Sequence, residues 1–419
     1  MKNISTQYHS GLTDTPSRQC SGQPGLRRST LRRSTLCALT LLTLLTLHVR
    51  SALAQGWQTV VDFQYAGLSG QNMGLAVAPS PSGTLFAGTL FASGFGGGHG
   101  LVMASTDQGT NWALSDDFVY PTTGSENTTR YDGGMACDPT GNLYVAGRVY
   151  LPYHWLVRRS GDGGLHWATV DDVAGGFNTQ PKGVATDAQG NVYVVGVLDA
   201  PNGTGSWTVR KGIKGINFTP VDNFAAGVVE AIYAHPTAGV FAVGSSYGAW
   251  IVRRSVDGGA NWQTVNSFQL ASRHSASAYG IGGDTNGNLY VVGGAGAPYK
   301  GHGYNHWLVR KSADGGASWS TVDDYQLPTN ISSVAKRITA DSNGNLFVTG
   351  LAVTSLSSTI WIVRRSVDGG ATWTTVDNFQ YAAGGENWPE AIAVDAWGKV
   401  FVGGMGGSSS GNHWLVRRN

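Results

Sequence analysis

Residues 366–373 read SVDGGATW, and the same frame returns at 160–167 (SGDGGLHW), 255–262 (SVDGGANW) and 312–319 (SADGGASW). A looser copy stands at 105–112 (STDQGTNW), and a decayed one, KGIKGINF, ends at Phe218. Between them runs a second string: DPTGNLYVAG at 138–147, DAQGNVYVVG at 187–196, DTNGNLYVVG at 284–293, DSNGNLFVTG at 341–350 and DAWGKVFVGG at 395–404. A third precedes the first: WLVRRS from Trp155, WLVRKS from Trp307, WIVRRS from Trp361 and WLVRR from Trp414. The aromatic anchors Trp57, Trp112, Trp167, Phe218, Trp262, Trp319 and Trp373 are 55, 55, 51, 44, 57 and 54 residues apart. Repeats of this length, made of strands and turns, indicate the blades of a β-propeller.

Each unit reads as four strands. Strand a runs into the first Asp turn (GVATD, AIAVD), strand b is NLYVVG, strand c is WLVRRS and strand d is WxTVDDF. The strands are apolar on both faces, as expected of sheets packed between neighbours. The D-x-x-G-N and D-G-G tracts are hairpin turns, with Gly supplying φ > 0 and Asp accepting nearby backbone N–H groups. The chain ends after a strand c, and its first repeat element, at Trp57, is a strand d. The expected fold is therefore all-β: a seven-bladed propeller of four-stranded antiparallel blades, the last closed by an N-terminal strand d beside C-terminal strands a–c.

The S-x-D-G-G-x-x-W frame resembles the Asp-box, or BNR repeat, and residues 57–419 are similar to an Asp-box propeller of the sialidase-like superfamily. The resemblance implies the fold more than the activity, because that fold hosts sialidases, xyloglucan hydrolases, sorting receptors and photosystem assembly factors. Sialidase chemistry would imply an Arg triad, a Tyr/Glu pair, an acid Asp and an early R-I-P string. No R-I-P occurs here, and no Arg lies between Trp57 and Trp112.

Composition agrees with a turn-rich β protein. Gly accounts for 61 of 419 residues and charged residues for 13%, against a usual charged share of roughly 25%. Hydrophobic residues make up 41%, which excludes intrinsic disorder. Residues 1–54 follow another pattern: a basic stretch, the apolar run LCALTLLTLLTLHV at 36–49, then Ala52-Leu53-Ala54. That order reads as a secretory signal peptide, leaving 55–419 as the propeller and a secreted, periplasmic or cell-envelope location. The segment carries Lys2, Arg18, Arg27, Arg28, Arg32, Arg33, Arg50 and Asp14. Losing seven positive charges and one negative turns the chain's +2 into −4. Nucleic acid is thus not an expected partner, nor is a membrane span after cleavage, and a monomer is expected. Cys20 and Cys37 leave with the segment, and Cys137, in the apolar run GGMACDP, reads as a structural thiol.

Variation between units concentrates on the face of the d–a and b–c loops, the expected ligand face. Five residues before each turn Asp, or its equivalent, stand Gly74, Gly133, Lys182, Glu230, Tyr279, Lys336 and Glu390, with Arg130 and Arg337 beside them. Lys182, Glu230, Tyr279, Lys336, Arg337 and Glu390 are the candidate ligand-binding ring at the channel mouth. The b–c segment 294–306 adds Tyr299, His302 and Tyr304 as sugar- or peptide-binding groups on a loop. A glycosidase pair needs about 5–9.5 Å between carboxyls, and Glu230 and Glu390, in nearly opposite units, are expected to lie farther apart. His99, His154, His306 and His413 share one repeat position and are expected to be spread around the ring rather than gathered on a metal. No cofactor, metal or catalytic constellation is expected. The Arg pairs (Arg158-Arg159, Arg253-Arg254, Arg364-Arg365, Arg417-Arg418) are expected to tie blades together through turn Asp residues. The function expected is binding of a glycan or protein ligand without catalysis, the alternative being glycoside hydrolysis by an unrecognised carboxylate pair.

Overall fold

The structure, a computed structural model, describes residues 56–65, 68–77, 90–96, 98–121, 128–199, 205–224, 227–299, 302–327, 332–355 and 358–419. The signal peptide expected at 1–54 lies outside them. Within the unit 56–419 the described strands form a β-propeller of antiparallel sheets. In chain order, sheet 1 spans 70–118, sheet 2 128–174, sheet 3 180–224, sheet 4 228–268, sheet 5 276–325, sheet 6 333–379 and sheet 7 387–418 with 58–63. Sheet 3 is typical: Gln180–Thr186, Val192–Asp199, Gly205–Ile213 and Ile216–Phe224 pair in sequence order. The first strand of each sheet contacts the first strand of the next, and that of sheet 7 (Asn387–Val394) contacts that of sheet 1 (Gly70–Val77), so the innermost strands close a cycle.

Seven four-stranded blades were the expectation. Six of the described sheets have four strands; sheet 2 has five, its inner strand being split into Thr128–Arg130 and Met135–Cys137. The split has a packing cause. Strand c of sheet 1 carries Gly100 where the other sheets carry Trp. Tyr131, fully buried, stands over that glycine, where a Cβ would come within 2.9 Å of its ring. Its hydroxyl donates to Asp116 at 2.7 Å. Thus Tyr131, displaced from the inner strand, fills the gap left by the absent Trp.

In sheet 7 the N-terminal strand Gln58–Phe63 pairs with Gly411–Arg418, Gln58 opposite Arg418 and Phe63 opposite Trp414. Trp155, Trp207, Trp250, Trp307, Trp361 and Trp414 are all fully buried. Four of them lie against a glycine of the next sheet: a Cβ on Gly196 would meet the Trp155 ring at 2.7 Å, one on Gly293 the Trp250 ring at 2.8 Å, and Gly350 and Gly404 stand likewise against Trp307 and Trp361. The turn carboxylates behave as read. Asp138 Oδ1 accepts from the backbone N–H groups of Thr140 and Asn142, and Asp368 Oδ1 from Thr372 N–H and Ser366 Oγ.

The Arg pairs do join sheets, but not through turn Asp residues. The first Arg of each pair grips an Asp in strand d of the preceding sheet: Arg158 with Asp116, Arg210 with Asp171, Arg253 with Asp222, Arg364 with Asp323 and Arg417 with Asp377, at 2.7–3.0 Å. Strand d places that carboxylate beside the boundary, whereas the turn carboxylates are already saturated by their own backbone. The second basic residue reaches elsewhere, Lys211 donating to Gly258 O at 2.7 Å and Arg418 to Gln108 O at 2.6 Å.

Candidate functional site

Inner strands acquire their chemistry from a repeated irregularity. The pairing of strand a with strand b slips by one residue between Pro181 and Gly183, Val229 and Ala231, Ala278 and Gly280, Ala335 and Arg337, and Pro389 and Ala391. The skipped residues are Lys182, Glu230, Tyr279, Lys336 and Glu390. Each is therefore the extra residue of a β-bulge, the device that frees a side chain from the ladder and re-aims it. In sheet 1 the slip lies between Asn72 and Gly74, so the equivalent is Met73, not Gly74. In sheet 2 the split strand places Asp132 and Gly133 together at the break. The simple offset fails in sheet 1 because 78–80 read Ala-Pro-Ser, with no turn Asp to count from, and in sheet 2 because the inner strand is split.

Lys182, Glu230, Arg337 and Glu390 line one small central cavity of about 150 Å³, with Met73, Gly134 and Ile281. The charges are arranged in pairs: Lys182 Nζ lies 4.0 Å from Glu230 and Lys336 Nζ 3.7 Å from Glu390. Lys336 also sits over the rings of Tyr279 (4.7 Å) and Trp388 (5.5 Å). Arg337 Nη1 donates to Tyr279 O at 2.7 Å and Lys336 O at 3.0 Å, pinning carbonyls of two successive bulges. Burial, and then the negative charges of Glu230 and Glu390, hold the Tyr279 hydroxyl above the usual phenol range. Tyr279 therefore faces its neighbours as a neutral hydrogen-bonding group.

Residues 294–306 are not a loop as expected. Leu289–Tyr299 and His302–Ser312 pair without interruption from Leu289↔Ser312 to Tyr299↔His302, forming an extended hairpin. The sequence GAGAPYKGHGYNH is rich in turn formers, but its small residues pair as readily as loop residues turn. The side chains of Tyr299, His302 and Tyr304 lie outside the described residues.

A second cavity, about 550 Å³, adjoins the first, and Lys182 lines both. Its walls bring Arg130, Arg148 and Tyr150 of sheet 2 to Gln180 of sheet 3 and to Phe177 and Asn178 of the segment between the two sheets. Sequence reading missed Arg148, Tyr150 and Phe177. The signal available was the Y-L-P-Y sequence of 150–153 and a single exposed Phe between strands, unlike any other unit.

The four repeat histidines do not converge. His99, His154, His306 and His413 pair with Asp117, Asp172, Asp324 and Asp62 at 2.5–2.7 Å, each on the outer strand of its own sheet. Among the described residues no three His, Cys, Asp or Glu side chains are grouped to hold a metal ion, and no helix is long and apolar enough to cross a membrane. Burial and then Asp138 push the Cys137 thiol up to about 12.

No protein-family model matches the sequence, and no curated protein matches it. Solved structures are similar in fold. The GH74 xyloglucanase from Xanthomonas campestris superposes with a TM-score of 0.56 at 15% identity over 83% of this chain and 53% of its own. The α-L-arabinanase of Penicillium chrysogenum, complexed with arabinobiose, gives 0.51 at 14% over 83% and 93%. A PL25 ulvan lyase gives 0.51 at 12% over 85% and 95%. The chain spans about half the length of the xyloglucanase. At these identities the likeness is one of fold: this chain shares a β-propeller with carbohydrate-active enzymes.

Proposed function

We propose that the protein is an exported, non-catalytic β-propeller built on Asp-box repeats that binds carbohydrate at the channel mouth formed by Lys182, Glu230, Tyr279, Lys336, Arg337 and Glu390. The observation that carries this reading is the set of bulges, which in five sheets frees one polar side chain of the inner strand from the ladder. Repetition of a strand defect that delivers different chemistry in each sheet supports a binding role over a purely structural one. The absence of catalysis is supported by the pairing: each Glu faces a Lys, and a glycosidase needs one carboxyl placed to give up a proton. Carbohydrate is favoured over a protein ligand by the chemistry in the fold neighbours' names, xyloglucanase and arabinanase.

The residue 55–419 protein would be screened on a glycan array, and the hit followed by calorimetry. Replacing Lys182, Glu230, Lys336 and Glu390 together should abolish binding while the melting profile keeps its cooperativity; unchanged affinity would refute the site. The same neighbours favour a second reading, a glycoside hydrolase using Glu230 or Glu390. Turnover of chromogenic glycosides that disappears in Glu230→Gln or Glu390→Gln alone would replace the first reading with the second.

A further inference from the structure

The groove between sheets 2 and 3, at about 550 Å³, has the volume usual for a small-ligand pocket, and Lys182 joins it to the smaller central cavity. Its charges are already matched. Arg148 Nε lies 2.9 Å from Asp132 Oδ2 and Lys182 Nζ 4.0 Å from Glu230, and Arg130 is engaged as well. Asp199, 2% exposed, is the third carboxylate, held by Asn178. Three cations stand with three carboxylates, so the groove offers a ligand no net charge.

What it does offer is set by two of those carboxylates. Gln180 Nε2 donates to Asp132 Oδ2 at 3.1 Å, and Asn178 Nδ2 and backbone N–H donate to Asp199 Oδ2 at 2.9 and 2.8 Å. Gln180 and Asn178 line the groove, whereas Asp132 and Asp199 do not. Each amide nitrogen is therefore turned into the wall, and the carbonyl oxygen on its other side is left to the groove. An amide oxygen accepts hydrogen bonds and cannot donate them, so the two suit hydroxyl donors and disfavour a carboxylate. The same groove carries an aromatic cluster. Tyr150, Tyr153 and Phe177 pack edge to face with centroids 5.3–5.8 Å apart, and Phe177, on the groove wall, is 60% exposed. An exposed aromatic ring takes the C–H face of a pyranose. Hydroxyl donors on a flat apolar face, without charge, are the description of a neutral sugar.

We infer that this groove is a subsite for a neutral pyranose, stacked on Phe177 with its hydroxyls donating to the side-chain carbonyls of Asn178 and Gln180. The inference rests on the carbohydrate-binding reading, and adds to it a ligand class and a second place of contact. The test is calorimetry of the 55–419 protein with three probes. They are cellotriose, whose all-equatorial rings present flat C–H faces; the corresponding tri-glucuronate, which keeps ring and linkage and adds charge; and acetyl-trialanine amide, a neutral peptide. Cellotriose should bind at least about fivefold tighter than either of the others. Phe177→Leu, which keeps an apolar side chain against Tyr150 and Tyr153 but removes the flat ring, should weaken cellotriose about three- to tenfold with the melting temperature unchanged. Phe177→Trp should bind it within about twofold of the parent or tighter. No binding of cellotriose, equal affinity for the acid or the peptide, or no effect of Phe177→Leu overturns the inference. If a glycan binds, Phe177→Leu leaves it unchanged, and Lys336→Gln with Glu390→Gln, neither of which lines the groove, abolishes it, the proposed function survives alone. If no glycan binds, both fall.

Discussion

Arg253 Nε and Nη2 both reach Asp222 at 2.8 Å across the boundary of sheets 4 and 3, and four other boundaries repeat the grip. The boundary of sheets 7 and 1 departs from it. Where the others carry Arg, sheet 1 carries Met103, and where they carry Asp, the closing strand carries Val61; both are buried in one apolar cluster. The chain thus holds an internal comparison between a buried ion pair and its apolar replacement. Removing one partner of a buried pair typically costs about 3–5 kcal/mol, whereas replacing both is often neutral. Arg253→Met alone is therefore expected to lower stability by that amount, and Arg253→Met with Asp222→Val to recover most of it. Urea midpoints of the three proteins would decide; a double variant as weak as the single would show that this boundary needs the charge. The boundary of sheets 5 and 4 is intermediate. Arg310 meets Asn266 rather than Asp, at 2.9 Å from Nη1, with its Nε unpartnered, and burial lowers the guanidinium from its usual range. Asn266→Asp would supply the missing charge and is expected to stabilise by about 1–2 kcal/mol; a lower urea midpoint would count against it.

At the scale of the element, the S-x-D turn is legible in the sequence and the bulged strand is not. Asp368 is held down to about 2 by Thr372 Oγ1, Thr372 N–H and Ser366 Oγ, and Asp257, Asp314 and Asp107 likewise. A carboxyl lowered on folding stabilises above its unfolded value of about 3.9 and loses that contribution as pH falls toward 2. Asp171 and Asp323 are raised by burial and act in the opposite sense, so the raw acid profile mixes the two. Replacing Asp257, Asp314 and Asp368 by Asn is expected to lower the melting temperature at pH 7 and to flatten its fall between pH 4 and 2; an undiminished slope would refute the assignment. These turns could be read because one residue's side chain closes each of them locally. The bulge depends on two strands, yet it left a trace. The final Gly of each strand b string faces the bulged backbone, and a Cβ on Gly196 would collide with Gln180 O and the Trp155 ring. Gly196→Ala is therefore expected to cost about 1–3 kcal/mol by overpacking and to weaken glycan binding through Lys182, while an alanine at exposed Gly163 would test only its turn. The partner of each Arg stayed hidden for the same reason: it lies some 40 residues back, in another sheet, where spacing within a repeat carries no information.

For the whole molecule, closure is the property that no single sheet possesses. Phe63 packs edge-on against Trp414 at 5.9 Å, Arg417 joins Thr59 at 3.1 Å and Asp377 at 3.0 Å, and Tyr381 and His413 both reach Asp62, at 2.8 and 2.6 Å. Strands from the two ends of the described unit thus share one sheet and, through it, both neighbouring sheets. Deleting 413–419 removes the partner of Gln58–Phe63 and exposes two strand edges at once, and exposed edges template aggregation. The truncated chain is expected to be insoluble or to melt far below the full protein. A circular permutant separates loss of closure from simple loss of residues: joining Asn419 to Gly56 by a short Gly/Ser linker and opening the chain at the exposed turn after Ser255 keeps every strand. It is expected to fold with stability close to the parent, since the linked ends already lie in adjacent strands. A truncation as stable as the parent, or a permutant that fails to fold while its linker spans the gap, would mean that the last sheet is an appendage and that the ring is held by the others.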